Sequence, residues 1–178
     1  MLSEQDIASH YLRNFYTLKA TTASLKHQAY QIRYQVYFQE QKMISNEKVG
    51  NNFETDEWDE LAIHSLLFHR ATHQAIGNVR LILANQNSSD VLPFEKHYTK
   101  ELDFSNTPIS HLHEGNTGEV SRMSILSTFR RRPTDKQMDY EPSETKEDND
   151  TRFPINYMPT CLTYSAIKKR LNIPVYPI

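Results

Sequence analysis

The chain has 178 residues, of which 38% are hydrophobic and 24% are charged, and its formal net charge is −2. This length and composition predict one soluble domain, residues 1–178, and the lack of a basic excess argues against a nucleic-acid partner. Its apolar runs are too short for a transmembrane helix, its N-terminus does not resemble a signal peptide, and its single cysteine, Cys161, excludes an internal disulfide. We therefore expect a cytoplasmic protein.

The N-terminal part of the chain predicts two helices with a strand between them. A helix at 3–14 precedes a strand at 15–21, which is rich in aromatic and β-branched residues. Ser24 is expected to cap a longer helix at 24–40. Its apolar residues recur at spacings of four, three and four, and so form one buried stripe: Leu25, Ala29, Ile32 and Val36.

The middle of the chain predicts strands. Residues 41–59 are polar and are expected to be irregular. The segments 61–71 and 76–84, separated by "THQA", have the pattern of an antiparallel hairpin. A short helix at 92–96 carries a proline near its first turn, and a further strand, "GEVSRMSIL", covers 118–126.

The C-terminal part begins with the segment 130–152, which is almost free of apolar side chains and is expected to be a mobile loop. A helix at 159–172 and the start of another strand at 174–178 follow. This order of elements predicts an α/β (α+β) fold with a mixed central sheet flanked by helices.

The strand at 118–126 carries two charged residues of opposite sign, Glu119 and Arg122. Since side chains alternate between the faces of a strand, positions 119 and 122 of a regular strand point to opposite sides of the sheet. Either each group is solvated or ion-paired separately, or the strand is bulged and both groups serve one site.

Other charged residues stand where the local pattern does not demand them. Arg33 lies on the long helix, Asp56 and Asp59 lie in the polar connection, and Arg80 lies among aliphatic residues of a strand. A basic run follows at Arg130, Arg131 and Arg132. Each has a purely structural alternative: an ion pair for Arg33, a polar turn for the two aspartates, the solvent face of the hairpin for Arg80, and a solvated loop for the basic run.

Together, "RYQVYF", "DEWD", "RLIL", "EVSR" and "FRRR" resemble the motifs of the acyl-homoserine-lactone (autoinducer) synthases and their relatives on the GNAT acyltransferase fold. The motifs also resemble those of the PEP-CTERM/exosortase system-associated acyltransferases and the N-acyl amino acid synthases. The resemblance implies a GNAT-like fold, and relative to that fold the chain is expected to be truncated at its C-terminus, with the final strands absent.

The resemblance implies an N-acyltransferase that moves a fatty acyl group from an acyl carrier protein or CoA thioester to an amino-containing small molecule. It also implies a β-bulge between Glu119 and Arg122 in the central strand. The expected catalytic residues are Glu119 as base or water-orienting group, with Arg122 and Arg80 holding carboxylates in place or orienting the acidic residues. The expected substrate-binding residues are Arg33, Asp56 and Asp59, the two aspartates holding a protonated amine.

The co-substrate is expected to be acyl-ACP or acyl-CoA, with no bound cofactor and no metal. Arg130, Arg131 and Arg132 are expected to meet the phosphates of CoA or the acidic helix of the carrier protein. Two alternatives stay open. One is a non-catalytic remnant that binds an acyl carrier, and the other is an acyl-homoserine-lactone synthase, which the absence of tryptophan from "EQKMISNEK" disfavours.

Overall fold

The computed structural model describes residues 9, 11–45, 49–84, 92–98 and 118–130. The strands are β1 (Phe15–Lys19), β2 (Val49–Gly50), β3 (Phe53–Glu54), β4 (Ile63–His69), β5 (Gln74–Leu83) and β6 (Gly118–Ile125). The helices are α1 (Ala23–Arg33), a π-helix (Tyr34–Glu40), α2 (Pro93–Tyr98) and a 3₁₀ turn (Ser127–Phe129). None of the helices in these ranges is both long enough and apolar enough to span a membrane.

A four-stranded sheet in the order β1-β4-β5-β6 forms the body of the protein, and every pairing in it is antiparallel. The predicted hairpin is confirmed as β4 and β5, although β5 begins at Gln74, two residues earlier than expected. A mixed sheet would need a parallel strand, and the remaining predicted strand, at 174–178, lies outside the described residues. The predicted loop from 131 onward and the predicted helix at 159–172 lie outside them as well.

Helix α1 packs against the sheet through the predicted apolar stripe. Ala29, Ile32 and Val36 are buried in the core beside Leu66 and Ile76, so the stripe is confirmed. The predicted cap is wrong by two residues. Thr22, which has extended backbone angles, accepts a hydrogen bond from the Leu25 N–H at 3.3 Å.

The helix changes to π geometry from Tyr34 to Glu40, which the apolar spacing does not indicate. The Gln41 N–H donates to the Val36 carbonyl five residues earlier, at 3.0 Å. Such single π turns are rare and are often found at functional sites.

The connection at 41–59 is more ordered than expected, because β2 and β3 form a small antiparallel hairpin within it. Asn51 and Asn52 make its turn with positive φ values of 51° and 64°. Asparagine tolerates this left-handed conformation, which two-residue hairpin turns require. The hairpin places Glu54 in the protein interior.

Strand β6 contains the expected irregularity. Asn78 pairs with Ser124 and Arg80 pairs with Ser121, so that Val79 stands opposite two residues of β6, Arg122 and Met123. Arg122 has a φ of 52°. This is a β-bulge, and it begins at Arg122 rather than between Glu119 and Arg122.

Candidate functional site

Six charged side chains from five segments meet on one face of the sheet. This is the face on which α1 packs, and Arg33 is the residue of α1 that takes part. Three are arginines and three are carboxylates, and they alternate around a closed ring. In order they are Arg33, Glu54, Arg122, Asp56, Arg80 and Asp59. We call this set the charge ring. Because the signs alternate, each charge has two neighbours of opposite sign, and the formal charges sum to zero.

Every link of the charge ring is a direct contact between a guanidinium nitrogen and a carboxylate oxygen. The Arg33 Nε contacts Glu54, and the remaining distances are 3.1 Å for Glu54–Arg122, 2.9 Å for Arg122–Asp56, 2.5 Å for Asp56–Arg80, 3.0 Å for Arg80–Asp59 and 2.6 Å for Asp59–Arg33. Arginine suits such a ring because its planar fork can serve two carboxylates at once.

The charge ring has a buried side and an accessible edge. The side chains of Arg33, Glu54, Arg80 and Asp59 are buried. The side chains of Asp56 and Arg122 are 21% and 36% exposed. Only this edge can meet a molecule that arrives from solvent.

The two aspartates also build the turn in which they lie. The Asp56 N–H donates to Asp59 Oδ2 at 2.8 Å, and the Trp58 N–H donates to Asp56 Oδ1 at 3.0 Å. Burial raises the pKa of Asp59, but the hydrogen bonds from Arg33, from the Asp56 N–H and from Arg80 outweigh it and hold that pKa below its usual value. The polar-turn interpretation and the ion-pair interpretation therefore both apply to these residues.

Arg80 does not lie on a solvent face, so that alternative is wrong. Its side chain is 1% exposed, and its Nε donates to Ser121 Oγ at 3.1 Å. His64 stands opposite Arg80 in the neighbouring strand, and its Nε2 lies 3.5 Å from Asp59 Oδ1. Burial lowers the pKa of His64 to about 4, against the smaller effect of Asp59, so the imidazole is neutral at pH 7.

The bulge brings Arg122 to the same side of the sheet as Arg80, since both guanidinium groups bind Asp56. Glu119 pairs with Ile82, two residues from Arg80, and so projects from the same face. The interpretation in which the two charges of β6 are divided by the sheet is therefore wrong. Glu119 does not touch the charge ring in the described part of the chain. Its Oε2 accepts a hydrogen bond from the Phe94 N–H of α2 at 2.8 Å.

Two side chains hold the backbone of the bulge. Asn78 Nδ2 donates to the Arg122 carbonyl at 3.1 Å, and the Tyr37 hydroxyl donates to the Met123 carbonyl at 2.6 Å. Neither residue was a candidate from the sequence. Tyr37 does belong to the "RYQVY" motif, which is the one signal that could have identified it.

Arg130 forms an ion pair with a residue of the protein itself, Glu40. Glu40, at the end of the π-helix, accepts hydrogen bonds from the Ser127 N–H, the Ser127 hydroxyl and Arg130 Nη2, the last at 2.5 Å. The role of Arg130 in binding a carrier protein or phosphopantetheine stays a prediction. Arg131 and Arg132 lie outside the described residues.

A family model described as "Acetyltransferase (GNAT) domain" matches residues 32–139, which is more than half of the chain. The matched span contains the whole charge ring, the π-helix and the bulged strand β6. No curated protein and no solved structure matches the chain. The antiparallel sheet and the helices around it agree with the fold of that family. The chain thus belongs to the GNAT acetyltransferase family.

Proposed function

We propose that this protein is an N-acyltransferase that moves a fatty acyl group from a CoA or acyl-carrier thioester to the amino group of a small acceptor. Membership of the GNAT family supports the reaction class and acyl-CoA as a donor. The observation that carries the proposal for the site is the bulge of β6, which puts Glu119 and Arg122 on one face.

The reaction forms a C–N bond and breaks the C–S bond of the thioester. The amine loses a proton and the departing thiolate gains one. Glu119 is the proposed base, acting directly or through a water. Its Oε2 is fixed by the Phe94 N–H, and among the described residues Oε1 has no hydrogen-bond partner. A carboxylate that is held by one oxygen, and whose other oxygen is without a partner in the described part of the chain, is suited to accept a proton in a defined direction.

The acceptor is proposed to approach the accessible edge of the charge ring. Asp56 offers a carboxylate to an ammonium group, and Arg122 offers N–H donors to a carbonyl or carboxylate. Arg33 and Asp59 are both buried in ion pairs. We assign them to holding the charge ring together rather than to contacting substrate.

The donor is proposed to lie along β6. Val120 and Met123 of this strand are 41% and 40% exposed, and an apolar acyl chain could cover them. Val120 pairs with Leu81 and so lies on the face opposite Glu119, which means that the thioester would reach the base around the edge of β6. The resemblance to the exosortase-associated acyltransferases supports a long acyl chain and a link to such a system, and both remain part of the proposal.

Product formation from a labelled palmitoyl thioester tests this function. The protein is incubated with palmitoyl-CoA or palmitoyl-acyl carrier protein and a pool of amino acids and amines, and N-acyl products are detected by mass spectrometry. Glu119→Gln keeps an acceptor for the Phe94 N–H and should lower the rate by about 10²- to 10⁴-fold. Glu60→Gln, at an exposed carboxylate, is the matched control and should retain the rate. If the wild type binds both thioesters and forms no product, the protein is a binding module and the proposal is wrong.

A further inference from the structure

The backbone of the β6 bulge is held from two directions by side chains that belong to other elements. Asn78, fully buried in β5, donates to the Arg122 carbonyl, and Tyr37 of the π-helix donates to the next carbonyl, that of Met123. Two consecutive peptide groups are therefore fixed by side chains rather than by a neighbouring strand alone.

The hydroxyl of Tyr37 is well suited to this contact. Burial raises the pKa of Tyr37 to about 12, so the phenol keeps its proton and remains a donor at any ordinary pH. The 2.6 Å separation from the Met123 carbonyl is short for a hydrogen bond between neutral groups. Tyr37 lies within the π-helix of residues 34–40, a geometry that is often found at functional sites.

The bulge needs such support because Arg122 lies in the left-handed region, with a φ of 52°. For a residue other than glycine this conformation is unfavourable by about 1–3 kcal/mol, and it persists only where the surroundings impose it. The ion pairs of Arg122 with Glu54 and Asp56 hold the side chain. The contacts of Asn78 and Tyr37 hold the main chain on either side of it.

We propose that Tyr37 is a positioning residue for acyl transfer, whose hydroxyl fixes the β6 bulge and so holds Arg122 at the accessible edge of the charge ring. The inference rests on the proposed function and adds to it a residue that touches no substrate. The Arg122–Met123 peptide is trans, so its N–H points away from the Asn78 amide that its carbonyl binds. Fixing these peptides therefore also fixes the direction of the Met123 N–H.

Tyr37→Phe removes the hydroxyl alone, and Tyr34→Phe is the matched control. Tyr34 lies in the same π-helix, is also half-buried, and its hydroxyl makes no hydrogen bond within the described residues. Loss of one neutral hydrogen bond corresponds to roughly a 2- to 10-fold effect. In Tyr37→Phe we expect kcat with palmitoyl-CoA to fall by about that factor, with an unchanged KM and an unchanged circular dichroism spectrum. The control should match the wild type.

Amide hydrogen exchange of β6, measured by mass spectrometry without substrate, gives a second readout. Exchange at residues 122–125 should be faster in Tyr37→Phe than in Tyr34→Phe. Equal exchange in the two variants would overturn the role of Tyr37 in holding the bulge. Faster exchange with an unchanged kcat would overturn its role in acyl transfer. A wild type that forms no product would instead refute the proposed function, and the exchange comparison would still decide whether Tyr37 holds the bulge.

Discussion

Replacing Arg80 by methionine should destabilise the protein far more than the same replacement at Arg122. Each arginine contacts two carboxylates of the charge ring, and Asp56 is common to both. They differ in burial, since the Arg80 side chain is 1% exposed and the Arg122 side chain is 36% exposed. Methionine keeps much of the apolar stem, so the comparison isolates the guanidinium group.

The expected magnitudes follow from this difference in burial. Arg80→Met removes contacts at 2.5 Å to Asp56 and 3.0 Å to Asp59, and leaves the ring with one uncompensated negative charge beside a buried carboxylate. Breaking one partner out of a buried pair typically lowers the free energy of unfolding by about 3–5 kcal/mol. Arg122→Met disrupts one pair with the partly exposed Asp56, for which about 0–1 kcal/mol is typical, and one pair with the buried Glu54, which keeps its contact with Arg33. The loss should therefore be smaller than for Arg80→Met.

Urea unfolding followed by circular dichroism measures both variants against the wild type. For a chain of this length, the loss predicted for Arg80→Met also corresponds to a fall in Tm of roughly 6–20 °C. Adding Asp59→Asn to Arg80→Met should recover part of the loss, because it removes the uncompensated charge. Equal losses in the two single variants, or a negligible loss in Arg80→Met, would refute the account of the charge ring as a buried, mutually compensating network.

Two further predictions concern the parts of the fold next to the charge ring. Burial lowers the pKa of His64 from 6.5 to about 4, so the unfolded chain takes up a proton at a higher pH than the folded protein does. The free energy of unfolding should therefore have its full value above pH 6.5 and fall by up to about 3 kcal/mol as the pH drops to 4. Urea titrations across this range should show a shallower fall for His64→Gln, and identical slopes would contradict the assignment. Gly118→Ala should destabilise the start of β6 by about 1–3 kcal/mol, because the added Cβ would lie 2.8 Å from the Ile82 carbonyl oxygen. An unchanged urea midpoint for Gly118→Ala would show that β6 can shift to accept the methyl group.

The parts of the fold that could be predicted from the sequence are those set by local periodicity. The stripe along α1 and the hairpin of β4 and β5 each follow from the spacing of apolar residues within one segment. The π-helix could not be found in this way, because Val36 continues the α-helical stripe while the hydrogen bonds around it change.

The candidate site was predictable in composition but not in arrangement. Five of the six members of the charge ring stood out as charged residues in unexpected places. Glu54 did not, because its burial depends on a hairpin of two-residue strands. Spacing within a segment also cannot distinguish charges that face a substrate from charges that face one another. For this reason the sequence assigns Arg33 and Asp59 to substrate binding, and only the structure shows that both take part in buried ion pairs.

The resemblance to a known family supplied what periodicity could not. From alternation alone, Glu119 and Arg122 lie on opposite faces of a strand. The bulge changes this, and it is stabilised by contacts from Tyr37 and Asn78, which are distant in sequence from β6. A local irregularity that depends on such long-range contacts leaves no pattern within the strand itself.

The most direct test of the central claim is the rate of amide formation from palmitoyl-CoA by wild type and by Arg122→Met, measured by mass spectrometry of the acylated amine. We predict product from the wild type and a loss of at least about tenfold in the variant, which should stay folded because Arg122 itself is 36% exposed and Glu54 keeps its contact with Arg33. A folded Arg122→Met with the wild-type rate would contradict the claim that the bulge of β6 delivers this guanidinium to the site of reaction.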